Sequence, residues 1–404
     1  MKIMAAGDGK VQKKQKVLLV HNFYQIGGGE HTVFENEKRL LRENGHKVIE
    51  YIRSNVELET SIRKKILLPF SSIFSFKTYR EICEIIRKEG VDVVHCHNTF
   101  PLISPAVYYA AWKYKIPVVQ TIHNFRFQCP CGVFYRDGNI CEDCVKGGLG
   151  QALKHGCYRS SRIQTAVVIN MLKIHRCLGT YLKLRYIFLT EFNREKFRPL
   201  LGNKVDHEFV KPNFEYIDIP EFSEAERNYN QFVFVARLDE NKGVCFLLDA
   251  WKNISDKKLI IYGNGPLENE VRQAAAENSM IEYKGFRPKK EILADISQSA
   301  ALVFTSKIYE GFPMTIVETI ACGRPVLCSS VGNGADIVKN TKCGIHYNAG
   351  EPNDFYRKLC KLTEKEYNKE LSDNAAAAYL KLFSPNENYK ILKRIYDEVC
   401  SEKK

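Results

Sequence analysis

Short apolar segments alternate with amphipathic ones along most of this 404-residue chain, and that alternation restricts the fold more than any other feature. KVLLVHNF (16–23) reads as a strand buried on both faces. QIGGGE makes a tight loop, a helical pattern runs from about Glu30 to Asn44, and Gly45 ends it. HKVIEY, DVVHCH, IPVVQTIH and YIFLT read as further strands, with SPAVYYAAWKYK and EFNREKFRPLLG as helices between them, and HEFVKPN closes this half. Repeated strand–helix–strand units imply a parallel sheet with helices on both faces.

A second series follows a polar, acidic stretch. QFVFVARL, KLIIYG, IEYKGF, ALVFTS and PVLCSS read as strands, with GVCFLLDAWKN and PLENEVRQAAAEN as helices. The expected organisation is a disordered basic tail (1–15), a first Rossmann-like domain (16–213) with a cysteine-rich insertion at 126–158, a linker (214–230), and a second Rossmann-like domain (231–383). A last amphipathic helix (384–404) packs back on the first domain. Parallel sheets bind ligands beyond the carboxyl ends of their strands, so the cleft between the domains is the expected site.

The net charge of +13 favours anionic partners such as nucleotides, phosphorylated lipids, a membrane surface or nucleic acid. No apolar run approaches the roughly 20 residues of a membrane span. VLLV is too short for a signal peptide, so a cytoplasmic protein is expected.

Four clusters point at that cleft. VFVARLDENKGV delivers Arg237 to the end of a strand and Lys242 to the start of a helix, a cation pair suited to a diphosphate. In IIYGNGPLE, Gly263, Gly265 and Pro266 make a loop that a nucleotide can approach closely. EGFPMTIVE sets Glu310 in a loop and Glu318 about one and a half turns inside a helix expected over 313–322. The two carboxylates do not share a helix face. They suit different parts of one extended ligand laid over the helix N-terminus, where Gly311, Phe312, Pro313 and Met314 lie. In the first half, Gly28 and Gly29 form a close-approach loop, His123 ends a buried strand, and His95 and His97 end a neighbouring one. Taken alone, each cluster also fits solvated charges or an ordinary strand–helix turn.

Together they carry a resemblance. The order GGGE, HCHN, TIHN, KPN, ARLDENKG, GNGP, EGFPMTIVE and FSP before the last helix resembles the retaining glycosyltransferases of family 4, which have the two-domain GT-B fold. The resemblance implies that Arg237 and Lys242 hold the diphosphate of a nucleotide sugar, Glu310 contacts the sugar, and Glu318 binds the ribose. It implies that His123 lies beside the reacting centre and that Gly28 and Gly29 approach the phosphates and the acceptor. GNGA (332–335) departs from the family's usual glycine pair. With no Asp-x-Asp pair in the sequence, transfer is expected to be metal-independent, by front-face displacement with retention. A UDP-sugar is favoured over a GDP-sugar, and a lipid-linked glycan for capsule or O-antigen is the expected acceptor. A nucleotide-sugar epimerase, and a zinc-dependent nucleic-acid binder, are the alternatives.

Of 14 cysteines, nine are scattered and five crowd into 129–157. A like insertion in similar polysaccharide glycosyltransferases, and the Cys-x2-Cys at 141 and 144, suggest a structural zinc. Cys129, Cys141, Cys144 and Cys157 are the expected ligands, with Cys131 a fifth candidate. KKILLPFSSIFSFK (64–77), basic at its ends and apolar between, suits either a membrane surface or a helix on the first sheet.

Overall fold

The computed structural model describes residues 14–24, 28–58, 62–202, 208–218 and 226–401. The first sheet holds β1 (Lys16–Phe23), β2 (Lys47–Ser54), β3 (Val93–Asn98) and β4 (Val118–Ile122). A small hairpin in the cysteine-rich insertion, β5 (Tyr135–Arg136) with β6 (Asn139–Ile140), precedes β7 (Arg185–Phe188) and β8 (Glu208–Val210). The second sheet holds β9 (Asn228–Val235), β10 (Lys258–Tyr262), β11 (Ile281–Gly285), β12 (Ser299–Phe304), β13 (Val326–Ser329) and β14 (Gly344–Tyr347).

Both six-stranded sheets are parallel, in the orders β2-β1-β3-β4-β7-β8 and β11-β10-β9-β12-β13-β14. Central strands such as β3, β4 and β12 are buried along their whole length, as expected when helices cover both faces. Apolar residues at the strand centres build a separate core in each half, one around Leu18, Val94 and Tyr186, the other around Phe232, Leu259 and Trp251.

Several boundaries differ from the sequence reading. β9 begins at Asn228, inside the expected linker, and the linker residues Phe214 and Glu215 are buried. β14 adds an edge strand that its polar sequence, GIHY, did not announce. Most of the expected tail lies outside the described residues, but Gln15 is buried and its amide donates to Asp397 over 2.7 Å.

That last bond comes from the C-terminal helix, Pro385–Ser401, which leaves the second domain and crosses back to the first. Its Leu392, Ile395, Tyr396 and Val399 pack against Val17, Leu19, Phe34 and Leu41. The first domain therefore borrows part of its core from the end of the chain. Leu392→Ala should cost about 2–5 kcal/mol of stability in urea unfolding, whereas Leu380→Ala, at a position 68% exposed, should change little.

Candidate active site

Strand order reverses at β1/β3 in the first sheet and at β9/β12 in the second, and open parallel sheets bind ligands in the crevice at such a reversal. Gly28 and Gly29 follow β1, and His97 lies at the end of β3. Arg237 and Lys242 follow β9, while Ser306 and Glu310 follow β12. The topology thus gathers most of the residues singled out in the sequence around two crevices.

Those crevices meet. A Cβ added at Gly311 would lie 1.8 Å from the carbonyl oxygen of His123, so only glycine allows the loop this close. Met314 Cγ would lie 3.4 Å from a Cβ at Gly29, whereas Gly28 has open space where a side chain would stand. Polar groups line the seam. Asn193 Nδ2 donates to the Gly311 carbonyl (2.9 Å), and Asn333 Nδ2 donates to Asn193 Oδ1 (2.6 Å) and to Gly311 O (3.0 Å). The Thr190 hydroxyl donates to Asn333 Oδ1 over 2.5 Å. Asn333 belongs to the GNGA stretch that departs from the usual pattern, and no single residue there was marked by the sequence reading.

On the second-domain side, Glu310 is engaged. Lys242 Nζ lies 2.5 Å from its Oε1, and the Ser306 hydroxyl donates to the same oxygen over 2.7 Å. Arg237 stands 3.4 Å from Asp239 and is 57% exposed, which leaves its guanidinium open to an anion. Glu318, on the helix Met314–Ala321, pairs instead with Lys289 (2.8 Å), which also reaches Glu215 (3.1 Å). Burial raises the Glu318 carboxyl, with Lys289 acting against it and Glu215 with it. The two glutamates of EGFPMTIVE therefore answer to cations on different elements. Lys289 and Glu215 carry no local motif, and their role appears only in three dimensions.

Four other expected residues make contacts of their own or stand exposed near the cleft. The Phe312 ring packs toward Phe383 of the second domain and stays partly exposed. Gly263 has φ +127°, and a Cβ there would lie 1.9 Å from Ala236 O; one at Gly265 would lie 2.4 Å from Leu238 O. These glycines let the GNGP loop lie against the strand end that delivers Arg237. Pro266 is exposed just ahead of the helix Glu268–Glu277.

On the first-domain side, His123 Nε2 lies 2.9 Å from His97 Nδ1. Burial, then His97 and His21, hold the His123 imidazole well below the usual histidine range, so it is neutral. Behind it, Glu37, His95 and His97 bring three possible ligand atoms within 4.8 Å of one another. Lys211 Nζ, 3.0 Å from Glu37 Oε2, already supplies the positive charge there, which disfavours a divalent ion. Sequence reasoning also missed Glu30 and Arg126. Burial pushes Glu30 up to about 8 against the pull of Arg126, which places a protonated carboxyl beside the glycine loop at neutral pH.

The cysteine-rich insertion reaches the seam. Phe134 packs on Tyr309, the residue before Glu310, and so do Phe125 and Phe192. Lys196 lies 4.7 Å from the centre of the Tyr309 ring and pairs with Glu142 of the insertion. Burial raises Tyr135, and the carboxylates of Glu240 and Asp239 beside Lys242 raise it further. Cys129 and Cys144 are buried, while Cys131, Cys141 and Cys157 are partly exposed. Cys129 Sγ lies 3.2 Å from Cys131 Sγ. Cys144 and Cys157 instead have Cys141 and Cys131 as electrostatic neighbours. Among the described residues, no three of these sulfurs fall within 4.8 Å of one another, so as placed they do not close a zinc tetrahedron.

Comparison with known proteins places the fold and the class of the chain. Residues 26–139 match the family described as Glycosyltransferase Family 4, and residues 229–365 match glycosyl transferases group 1. The chain belongs to the GT-B glycosyltransferases. An uncharacterised glycosyltransferase of Methanocaldococcus jannaschii is 25% identical over 95% of this chain and 98% of its own. An Escherichia coli enzyme named UDP-Gal:alpha-D-GlcNAc-diphosphoundecaprenol alpha-1,3-galactosyltransferase is 21% identical over 82% of each chain. The crystal structure of Anabaena HepE in complex with UDP superposes with a TM-score of 0.66 at 15% identity, over 95% of this chain and all of that one.

Proposed function

We propose that this GT-B glycosyltransferase is a retaining family 4 enzyme that moves a sugar from a UDP-sugar to a lipid-linked glycan acceptor in surface polysaccharide biosynthesis. The observation that carries the proposal is the convergence of Arg237, Lys242 and Glu310 at the β9/β12 reversal with His123, whose carbonyl touches Gly311 across the seam. As the sugar leaves, negative charge grows on the diphosphate and positive charge on the sugar ring. Arg237 and Lys242 meet the first, together with the N-terminus of the helix Met314–Ala321. Glu310 steers Lys242 while it contacts the sugar, and Glu318 holds the ribose. Fixed cations make a divalent metal unnecessary for the leaving group. The acceptor's proton passes to the departing phosphate, and the acceptor oxygen attacks from the same face.

The UDP preference draws on the UDP in the HepE structure and the UDP-galactose donor in the name of the E. coli relative. The same name supports the lipid-linked acceptor. Binding across UDP-, GDP- and ADP-sugars, with EDTA present, should give one saturable donor, lost in Glu318→Ala. Arg237→Ala should lower kcat by about 100-fold or more, and undiminished transfer would count against the charge argument. An epimerase would consume nucleotide sugar without an acceptor; this enzyme should not.

Two further assignments accompany this reading. Ile66, Leu67 and Phe70 on the helix Ile62–Ser71, with Phe76 just beyond it, are exposed, the two phenylalanines at 75% each. Among the described residues no helix is long and apolar enough to cross a membrane. The exposed apolar patch between basic ends suits a resting place on the inner membrane face. Phe70→Ser with Phe76→Ser should then reduce co-sedimentation with phosphatidylglycerol vesicles, and equal binding would remove the membrane role. A structural zinc drawn from Cys129, Cys141, Cys144 and Cys157, with Cys131 competing for the place of Cys129, requires these thiols to draw closer together than they stand here. Metal analysis should find one zinc per chain, lost in Cys141→Ser with Cys144→Ser. Well under one zinc in the wild type would leave five free thiols.

A further inference from the structure

We propose that Arg126, with Tyr24 and Glu30, forms a phosphate-binding site in the first domain, and that its ligand is the diphosphate of a lipid-linked acceptor. The identity of that ligand rests on the acceptor reading given above; the site itself does not.

The three residues come together at the mouth of the first sheet. Tyr24 directly follows β1, Glu30 lies in the first turn of the helix Gly29–Glu43, and Arg126 lies in the loop after β4, just beyond His123. The Arg126 guanidinium sits beside two rings, 4.9 Å from the centre of Phe100 and 5.2 Å from that of Tyr158. Its Nη1 donates to the Pro130 carbonyl over 3.2 Å, and its backbone N–H donates to Asn124 Oδ1 over 3.0 Å. The side chain is therefore held at both ends. Arg126 lines the same cavity as His123, Asn98 and Thr99, which sets it next to the cleft.

Three polar atoms of this group are buried without a hydrogen-bond partner: Arg126 Nε, the Tyr24 hydroxyl and Glu30 Oε1. Native proteins leave few such atoms, and three from separate segments at one sheet end call for a partner from outside the chain. The charges narrow its chemistry. A guanidinium stays positive at any pH the protein meets, and among the described residues Arg126 makes no ion pair. Glu30 does not balance it, because burial pushes that carboxyl up to about 8 and leaves it protonated at neutral pH. His21 Nδ1, 4.0 Å from Glu30 Oε1, belongs to a neutral ring that burial holds down to about 2.

The group thus offers one uncompensated cation, a phenol and a carboxylic acid, all able to donate. The helix Gly29–Glu43 has no side-chain cap, so its free N–H groups and the positive end of its dipole add to them. Phosphate oxygens, negative and able only to accept, match such a set. A neutral sugar hydroxyl would leave the buried cation without a counter-charge. In the reading above the donor diphosphate has its own cations, Arg237 and Lys242, on the other domain. Two cationic places on opposite walls of one cleft suit two phosphate groups, one on each substrate.

Isothermal titration calorimetry on the full chain tests this, with UDP saturating to fill the donor site and inorganic pyrophosphate or farnesyl diphosphate as the probe. Both probes should bind, farnesyl diphosphate more tightly. Arg126→Met should weaken each by about 10- to 100-fold, and Arg237→Met should leave both unchanged. No pyrophosphate binding in the presence of UDP overturns the site. So does binding lost in Arg237→Met but kept in Arg126→Met, which would put the probe on the donor cations. Tyr24→Phe removes only a hydroxyl and should weaken binding by about 3- to 10-fold; it carries the test if Arg126→Met fails to fold, and full affinity there overturns the site. Pyrophosphate bound as tightly as farnesyl diphosphate overturns the lipid as its source. Arg126-dependent binding of both probes, with transfer to a diphosphate-free glycoside that Arg126→Met leaves at full rate, supports the site and overturns the lipid-linked acceptor.

Discussion

The buried pair Glu37–Lys211 ties the first domain to the crossover helix. Glu37 comes from the first helix, Lys211 from the segment after β8, and both are sealed from water. Around them close the two histidines of β3 and, from the far end of the chain, Asn388 and Tyr396 of the crossover helix. Such a pair stabilises little in itself, because desolvation offsets its attraction, but removal of either partner strands a charge and costs about 3–5 kcal/mol. It therefore acts as a specification: the first helix, the end of the first sheet and the crossover helix must arrive together. His123 sits at the outer edge of that network, joined to it through His97.

A second constraint is the seam. Gly311 against His123, and Asn333 bonded to Asn193, Thr190 and the Gly311 carbonyl, bring the loop after β12 directly onto the strand end of the other domain. Aromatic packing around Tyr309 extends this contact into the cysteine-rich insertion. The insertion is thus a wall of the seam beside the loop that carries Lys242, and whatever orders its thiols also orders that wall.

Much of the architecture could be read in advance because a strand covered on both faces must be apolar throughout, and KVLLVHNF, DVVHCH and ALVFTS satisfy that rule locally. The strand ends then placed Arg237, Lys242, Glu310 and His123 near a cleft by topology alone. Less was legible where one residue's environment depends on a distant one. Glu37 looks like any polar position in ENEKRL yet is fully buried, because its counter-ion comes from Lys211. The contact of the Phe312 ring with Phe383, 71 residues further along the chain, had no signal in its own segment. GIHY was too polar to announce β14, whose pairing partner β13 supplies the order that its own residues do not.

By itself, then, the sequence determined two parallel sheets, the class of the enzyme and the strand-end loops that gather at the cleft, because burial periodicity and strand-end motifs are local properties. Only the tertiary structure decided which cation each glutamate answers to, which glycines allow close backbone contact, and what packs around His123. Those are matters of charge and close packing between residues far apart in the chain. Coulomb attraction and steric exclusion act over a few ångströms, and only the completed fold brings such residues that close.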